Sequence, residues 1–168
     1  MAAFFTTRFE KHDDYMTPRY AWDNVAHLIP KDKVIWEAFY GDGASGTYLR
    51  DLGFNTIHEE IDFFTEDRGD IIVSNPPFSK TKEVLARLKE LNKPFMLILP
   101  AGKITTQYVR SLFKDSADPL QLVIPRKRIQ FQKQVNGIVP ENYKSDCSFD
   151  CFYYCWKMGL PRDLLWLG

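Results

Sequence analysis

A short apolar run that leads into two consecutive prolines constrains this chain more than any other stretch. Residues 70–73 (Asp-Ile-Ile-Val) are rich in β-branched side chains and predict a buried strand. Residues 74–79 (Ser-Asn-Pro-Pro-Phe-Ser) follow directly, and a helical pattern begins at Lys80. Ligands of open α/β sheets bind at the carboxyl ends of the strands, so the sequence predicts a binding loop here.

This proline loop presents hydrogen-bond acceptors rather than donors. Pro76 and Pro77 fix φ and remove two amide donors, which makes the loop stiff. Asn75 adds a side-chain carbonyl oxygen, and Phe78 adds an aromatic face. Acceptors beside an aromatic face suit a planar group that carries an amine. The simpler interpretation is a proline-stiffened turn between a strand and a helix.

A glycine-rich loop follows the strand predicted over residues 33–39. Gly41, Gly43 and Gly46 permit positive φ and the close approach of a ligand to the backbone. A helix that begins between residues 44 and 47 would point its free N–H groups at an anionic ligand. The Gly-x-Gly-x-x-Gly spacing alone would also suit a dinucleotide.

The proline loop and the glycine loop together resemble those of S-adenosylmethionine-dependent amino-methyltransferases, most of which methylate the exocyclic amine of adenine in DNA or RNA. Thr17 and Pro18, just ahead of the first strand, match the Thr-Pro pair of members with the γ order of motifs. They also predict a helix that reaches Pro30, with Thr17 as its N-cap. Residues 128–131 (Arg-x-x-Phe) before an aromatic strand resemble small phage and viral members. The resemblance covers roughly residues 17–158.

The resemblance implies a Rossmann-like class I methyltransferase fold. In this α/β fold, helices cover both faces of a mostly parallel sheet whose terminal strand is antiparallel. Strands and helices that alternate along residues 33–124 predict the parallel part independently. The second strand is predicted over residues 54–58, with Glu59 and Glu60 at its end. Only residues 61–69 lie between these acids and the strand of residues 70–73 that precedes the proline loop. The crossover helix found in larger family members is therefore expected to be missing.

The resemblance also implies roles for individual residues. The Asn75 side-chain oxygen and the Pro76 carbonyl would accept the two protons of the target amine, and Phe78 would stack on the base. Asp62 and Phe63 would hold the cofactor's adenine, and Glu59 or Glu60 its ribose. The implied catalytic residues are Asn75, Pro76, Pro77 and Phe78, and the implied S-adenosylmethionine contacts are Thr17, Pro18, Glu37, Phe39, Gly41, Gly43, Glu59, Glu60, Asp62, Phe63 and Asn75.

A basic run near residue 130 is the candidate nucleic-acid contact. Lys+Arg and Asp+Glu balance at 22 each, so any such binding must depend on a local patch. Residues 125–133 carry four cations and no acid, with Phe131 among them. The cations proposed to contact phosphates are Arg126, Lys127, Arg128 and Lys133. DNA is favoured over RNA, and a solvated basic surface is the simpler alternative.

Length and composition predict one domain in a reducing, cytoplasmic setting, or in a host cell if the protein is viral. Residues 1–16 are expected to form an arm, and residues 17–168 a single methyltransferase domain with a basic insertion at 126–148 and no separate target-recognition domain. The chain shows no signal peptide and no apolar run of membrane-spanning length. Three cysteines, Cys147, Cys151 and Cys155, favour core packing over a metal site.

Three other functions remain open on the residues. A protein glutamine methyltransferase uses a related loop, with Tyr where this chain has Phe78. A small-molecule methyltransferase would leave the basic run without a role. A cofactor-binding fold retained as a non-catalytic partner subunit is the third alternative. Because no recognition domain is predicted, a second copy of the chain or a specificity partner is expected to supply target recognition.

Overall fold

A seven-stranded sheet forms the centre of the protein. The computed structural model describes residues 15–41, 43–133 and 149–168. The strands of this described part are β1 (Tyr15–Met16), β2 (Val34–Trp36), β3 (Asn55–Ile57), β4 (Ile71–Ser74), β5 (Phe95–Pro100), β6 (Leu120–Ile124), β7 (Gln132–Lys133), β8 (Cys151–Trp156) and β9 (Leu164–Trp166). The α-helices are α1 (Arg19–Asp23), α2 (Ala44–Asp51), α3 (Thr81–Glu90) and α4 (Gln107–Phe113).

The main sheet is parallel except for one strand. Its strand order is β3-β2-β4-β5-β8-β6-β9, and β1 and β7 form a separate two-stranded sheet. Strands β2, β3, β4 and β5 pair in parallel, whereas β8 is antiparallel to both β5 and β6. The predicted mostly parallel sheet with an antiparallel strand is confirmed. The expectation that this strand is terminal is wrong, because β9 follows it and pairs in parallel with β6 at the edge.

Helices cover both faces of the sheet. Tyr153 and Trp156 on β8 point to opposite faces, because successive strand residues alternate. The Tyr153 ring lies 6.4 Å from that of Trp22 in α1, whereas the Trp156 ring lies 6.2 Å from that of Phe113 in α4. Since α3 packs beside α4, and α2 beside α1, the two helix pairs lie on opposite faces. The predicted three-layer arrangement is therefore confirmed.

The connection between β3 and β4 contains no helix. Residues 58–70, all of them described, form bends and turns only. The Asp62 carboxylate accepts a hydrogen bond from the Phe64 amide at 3.0 Å, which holds one of these turns. The absence of a crossover helix, predicted from the short segment of residues 61–69, is confirmed.

The segment before β2 departs from the prediction. Helix α1 begins at Arg19 with Pro18 at its N-cap position, and no side chain caps it. A separate 3₁₀ turn, Ala26–Leu28, follows, so the predicted continuous helix to Pro30 is wrong. The predicted N-cap, Thr17, is also wrong, because the Thr17 hydroxyl accepts a hydrogen bond from Asn75 instead. Tyr15 and Met16, assigned to an arm, pair with β7.

Two of the three cysteines lie inside β8. Cys151 and Cys155 are buried, and burial raises the pKa of the Cys155 thiol far above its usual range. Such a thiol stays protonated and packs as a small apolar side chain. The interpretation of these two cysteines as core residues is confirmed, whereas Cys147 lies outside the described residues.

Candidate active site

An open hollow lies at the carboxyl edge of the sheet, between the ends of β2 and β4. It spans about 390 Å³ of space, which includes open solvent at its mouth. The two strands are parallel neighbours, so the residues that follow them meet at one edge. The lining residues are Tyr15, Met16, Thr17, Glu37, Phe39, Tyr40, Gly41, Ser45, Asn75 and Pro77. The proline loop and the glycine loop, 34 positions apart from Gly41 to Asn75 in the numbering, therefore converge on one space.

The orientation of the Asn75 amide is fixed by two hydrogen bonds. Its nitrogen donates to the Tyr15 carbonyl at 3.1 Å and to the Thr17 hydroxyl at 3.0 Å. A backbone carbonyl can only accept, so the NH₂ group must face Tyr15 and the oxygen must face away. The Asn75 Oδ1 atom is buried and has no hydrogen-bond partner among the described residues. An unsatisfied buried acceptor costs about 1–3 kcal/mol, so this oxygen is held ready for a donor that the folded chain does not supply.

Glu37 lies opposite Asn75 at the end of β2. Its side chain is 1% exposed, and its Oε1 atom accepts hydrogen bonds from the Ser74 hydroxyl and, at 3.0 Å, from the Phe39 amide. A buried carboxylate requires such donors to offset its desolvation. Ser74 directly precedes Asn75, so its hydrogen bond to Glu37 joins the proline loop to the glycine loop where the two strands end.

The glycine loop brings helix α2 against the end of β3. Gly41 and Gly43 have φ values of +59° and +84°, and Gly43 is the N-cap residue of α2. The predicted start of this helix and the predicted positive φ at these two positions are confirmed. Gly46 differs: it is helical, and a Cβ at this position would lie 2.1 Å from the His58 ring. Gly46 is therefore required for close packing rather than for an unusual backbone conformation.

Phe78 lies in an aromatic cluster rather than at an open surface. Its side chain is 8% exposed, and its ring stacks on Tyr15 with centroids 6.2 Å apart and planes at 22°. Phe131 and Phe149 contact the same ring from the edge at 6.1 and 5.8 Å. Tyr15 therefore covers one face of the Phe78 ring, and the stacking role of Phe78 stays a prediction. Phe131, which the sequence places among the cations, is fully buried in this cluster.

The structure divides the implied cofactor contacts into two groups. Five of them line the hollow, namely Thr17, Glu37, Phe39, Gly41 and Asn75. Pro18 directly follows Thr17, and Gly43 lies in the chain between Gly41 and Ser45, which both line the hollow. The residues implied for the adenosine end lie outside it. Glu59 and Glu60 are exposed, Asp62 caps its own turn, and Phe63 is fully buried against the Trp36 and Phe39 rings. Their cofactor roles stay predictions.

Sequence reasoning missed several residues that shape the hollow. Tyr15 and Met16 belong to a two-residue strand, too short for any periodic signal. Ser74 was visible as the polar residue between a buried strand and Asn75. Ser45 accepts a hydrogen bond from the Trp22 indole at 3.1 Å and so ties α1 to α2 across the hollow.

The predicted phosphate contacts fall into different surroundings. Arg128 forms an ion pair with Asp150, with nitrogen–oxygen distances of 3.1 and 3.3 Å. The hydrogen bond from Arg128 lowers the pKa of Asp150 below its usual value. Arg126 and Lys127 are exposed and have no ion-pair partner in the described part of the chain. Lys133 lies in β7, which pairs with β1.

Comparison with known proteins identifies the class first. The family model described as adenine-specific methyltransferase EcoRI matches residues 46–146, more than half of the chain. The chain therefore belongs to this family of adenine-specific methyltransferases. The matched region contains the whole proline loop, whereas Thr17, Glu37 and the first two loop glycines precede it.

One known relative matches part of the chain. The type II methyltransferase M.EcoRI of Escherichia coli is 35% identical over 86 residues, which are 51% of this chain and 24% of that protein. The aligned part thus spans about a quarter of the length of that relative. No solved structure gives a significant match. Within the described ranges, no helix has both the length and the apolar character needed to cross a membrane.

Proposed function

We propose that this protein transfers a methyl group from S-adenosylmethionine to the exocyclic amine of adenine in DNA. The single observation that carries the proposal is the buried Asn75 Oδ1 atom, oriented by two acceptors on its amide nitrogen and left without a donor. The family match supports adenine as the target. The type II designation of the relative favours DNA over RNA.

The hollow is suited to the amino-acid end of the cofactor. The carboxylate of Glu37 can accept from an ammonium group, and the positive φ of Gly41 and Gly43 leaves backbone close to the space. A Cβ at Gly41 would lie 3.4 Å from the Met16 sulfur, and one at Gly43 would lie 3.0 Å from the Tyr40 hydroxyl. Side chains at either glycine would narrow the cradle, so the residues present fit this group.

In the proposed reaction the protein acts by positioning and electrostatics. S-adenosylmethionine, when bound, supplies an electrophilic sulfonium methyl group. Asn75 Oδ1 accepts a hydrogen bond from one N–H of the adenine amine, and the Pro76 carbonyl accepts one from the other. The amine nitrogen would gain the methyl group as the sulfur–carbon bond breaks, which leaves a neutral thioether, and would then release one proton to solvent. Two acceptors raise the electron density on the nitrogen and fix the direction of its lone pair. Tyr15 and Thr17 hold the amide so that its oxygen does not need to reorient during the reaction.

A Rossmann-like class I methyltransferase fold with γ motif order is part of the proposal. The strand order, with an antiparallel strand inserted between β5 and β6, supports it. In the chain, the glycine loop comes first, the proline loop second and the basic run third, which is consistent with the γ order. Phage or viral origin and a cytoplasmic setting stay predictions.

Nucleoside mass spectrometry tests the proposed function. DNA, RNA and protein are incubated in parallel with the chain and isotope-labelled cofactor, then hydrolysed and analysed. We expect labelled N6-methyladenine from DNA and none after the Asn75→Ala substitution. Label in glutamine, label only in RNA, or no transfer by a chain that binds the cofactor would each contradict the proposal. The last result would favour the non-catalytic partner subunit.

A further inference from the structure

A second and larger space lies at the same edge of the sheet. It spans about 1180 Å³ of space, open solvent included, between α1, the segment after β6, and β9. We call it the basic groove; its lining residues are Tyr20, Asn24, His27, Pro125, Arg126, Lys127, Ile129, Tyr153, Leu165, Trp166, Leu167 and Gly168. Strand β6 runs parallel to β4, so the groove at the end of β6 and the hollow at the end of β4 lie at the same carboxyl edge of the sheet.

The charged side chains that line the groove have one sign. Arg126 and Lys127 are exposed, and none of the described lining side chains is acidic. Neither cation has an ion-pair partner among the described residues, whereas the adjacent Arg128 is engaged by Asp150. Arg126 and Lys127 are therefore available to a polyanion, whereas Asp150 neutralises Arg128.

The groove also carries exposed aromatic surface. Trp166 is 70% exposed and Tyr20 is 41% exposed, which makes them two of the three exposed large apolar side chains in the described residues. An exposed indole beside unpaired cations is the composition of surfaces that hold single nucleic-acid strands, where bases stack on rings and phosphates contact cations.

Helix α1 connects the groove to the hollow. Thr17 lines the hollow and Tyr20, three residues later, lines the groove. The Tyr20 hydroxyl accepts a hydrogen bond from the Gln130 amide at 2.7 Å, which ties α1 to the segment that carries the cations. A strand that lay in the groove would therefore reach the hollow over the first turn of one helix.

We infer that the basic groove binds the DNA strand that flanks the target adenine, with Arg126 and Lys127 on its phosphates and Trp166 stacked on a base. This inference rests on the proposed function for the identity of the polymer. It adds a place for the strand outside the hollow, which the family match and the proline loop do not provide.

Fluorescence of the tryptophans tests the inference without any catalytic readout. The chain has four tryptophans, of which Trp22, Trp36 and Trp156 are at most 3% exposed. Iodide quenching of the full chain therefore reports mainly on Trp166. We expect saturating mixed-sequence DNA to protect this fluorescence from iodide, and the protected component to be lost in Trp166→Phe. Unchanged quenching with DNA bound would overturn the inference.

Binding measured by fluorescence anisotropy over a salt series separates the contributions. Replacement of Arg126 and Lys127 by Gln should weaken DNA binding and reduce the slope of log K against log salt by about 2. Trp166→Ala should weaken binding by about tenfold, with Trp166→Phe retaining most of the affinity. The matched control is Lys82→Gln with Arg110→Gln, two exposed cations on α3 and α4 at the opposite face. An equal loss in this control would overturn the inference.

The remaining outcomes distinguish a failure of this inference from a failure of the proposed function. If wild type methylates adenine and the groove variants bind DNA as wild type does, the inference fails and the proposed function stands. If wild type methylates no nucleic acid, the proposed function fails. If Trp166 is already protected in free protein and becomes accessible on dilution, the groove is a contact between copies of the chain, which also overturns the inference.

Discussion

The hollow and the basic groove lie at one edge of the same sheet, yet they are built in opposite ways. In the hollow, polar side chains are buried and held by specific hydrogen bonds, as Asn75 and Glu37 show. In the groove, Arg126 and Lys127 are exposed and form no ion pair with the residues that the structure describes. A reacting atom must be placed to a fraction of an ångström, whereas a phosphate backbone needs only charge within reach. Substitutions in the hollow should therefore have larger effects than substitutions near the groove.

The largest effect is expected at the centre of the hollow. Asn75→Ala removes the oriented acceptor and should lower the methyl-transfer rate by about a thousandfold, the loss seen when one preorganised electrostatic group is removed. Cofactor affinity, measured by calorimetry, should change little, because other residues line most of the hollow. The exposed amide Asn55→Ala is the control. Wild-type turnover in Asn75→Ala would show that substitutions in the hollow do not have larger effects than substitutions near the groove.

Gly46→Ala should destabilise the fold under the hollow. Alanine favours a helix over glycine by about 1 kcal/mol, but a Cβ 2.1 Å from the His58 ring forces α2 away from β3. Overpacking of this kind destabilises a protein by about 1–3 kcal/mol in total. We therefore expect urea unfolding to give a lower free energy of unfolding for the variant than for wild type. Gly102→Ala is the matched control, because a Cβ there meets nothing within 4 Å. Equal stability of both variants would show that the packing at His58 is loose.

Thr17 separates a positioning role from a cofactor contact. Thr17→Val keeps the shape but removes one acceptor from the Asn75 amide, and we expect kcat to fall about tenfold, which corresponds to about 1.4 kcal/mol. Thr17→Ser should restore it, since the hydroxyl returns. The readout is the division between kcat and the KM for cofactor. A rise in KM with unchanged kcat would indicate direct contact with the cofactor instead.

The smallest effect is expected beside the groove. Asp150→Asn breaks an exposed ion pair with Arg128, and such pairs contribute little to stability. Because Arg128 lowers the pKa of Asp150, the pair stabilises the folded state at pH values above the usual pKa of an aspartate carboxyl group. This contribution is lost as pH falls through the lowered pKa. Thermal unfolding of the variant and of wild type should therefore differ slightly at neutral pH and converge in acid.

Local patterns were sufficient for the parallel half of the molecule. The β-branched run before Asn75 and the glycines at residues 41 and 43 gave β4, the start of α2 and the positions with positive φ, because these depend on neighbouring residues. The short spacing between β3 and β4 gave the missing crossover helix. The short strands β1 and β9 were not predicted, because two or three residues carry no periodicity.

By itself, the amino-acid sequence determined that Asn75 and two prolines follow a buried strand, and that glycines follow an earlier strand. Only the tertiary structure decided which way the Asn75 amide faces, because that depends on Tyr15, 60 positions away, and on Thr17, 58 positions away. It likewise decided that Phe78 and Phe131 belong to one buried cluster. The tertiary structure also decided that Asp150 pairs with Arg128 and not with Arg126 or Lys127. Such contacts join residues distant in the chain, and no local pattern encodes them.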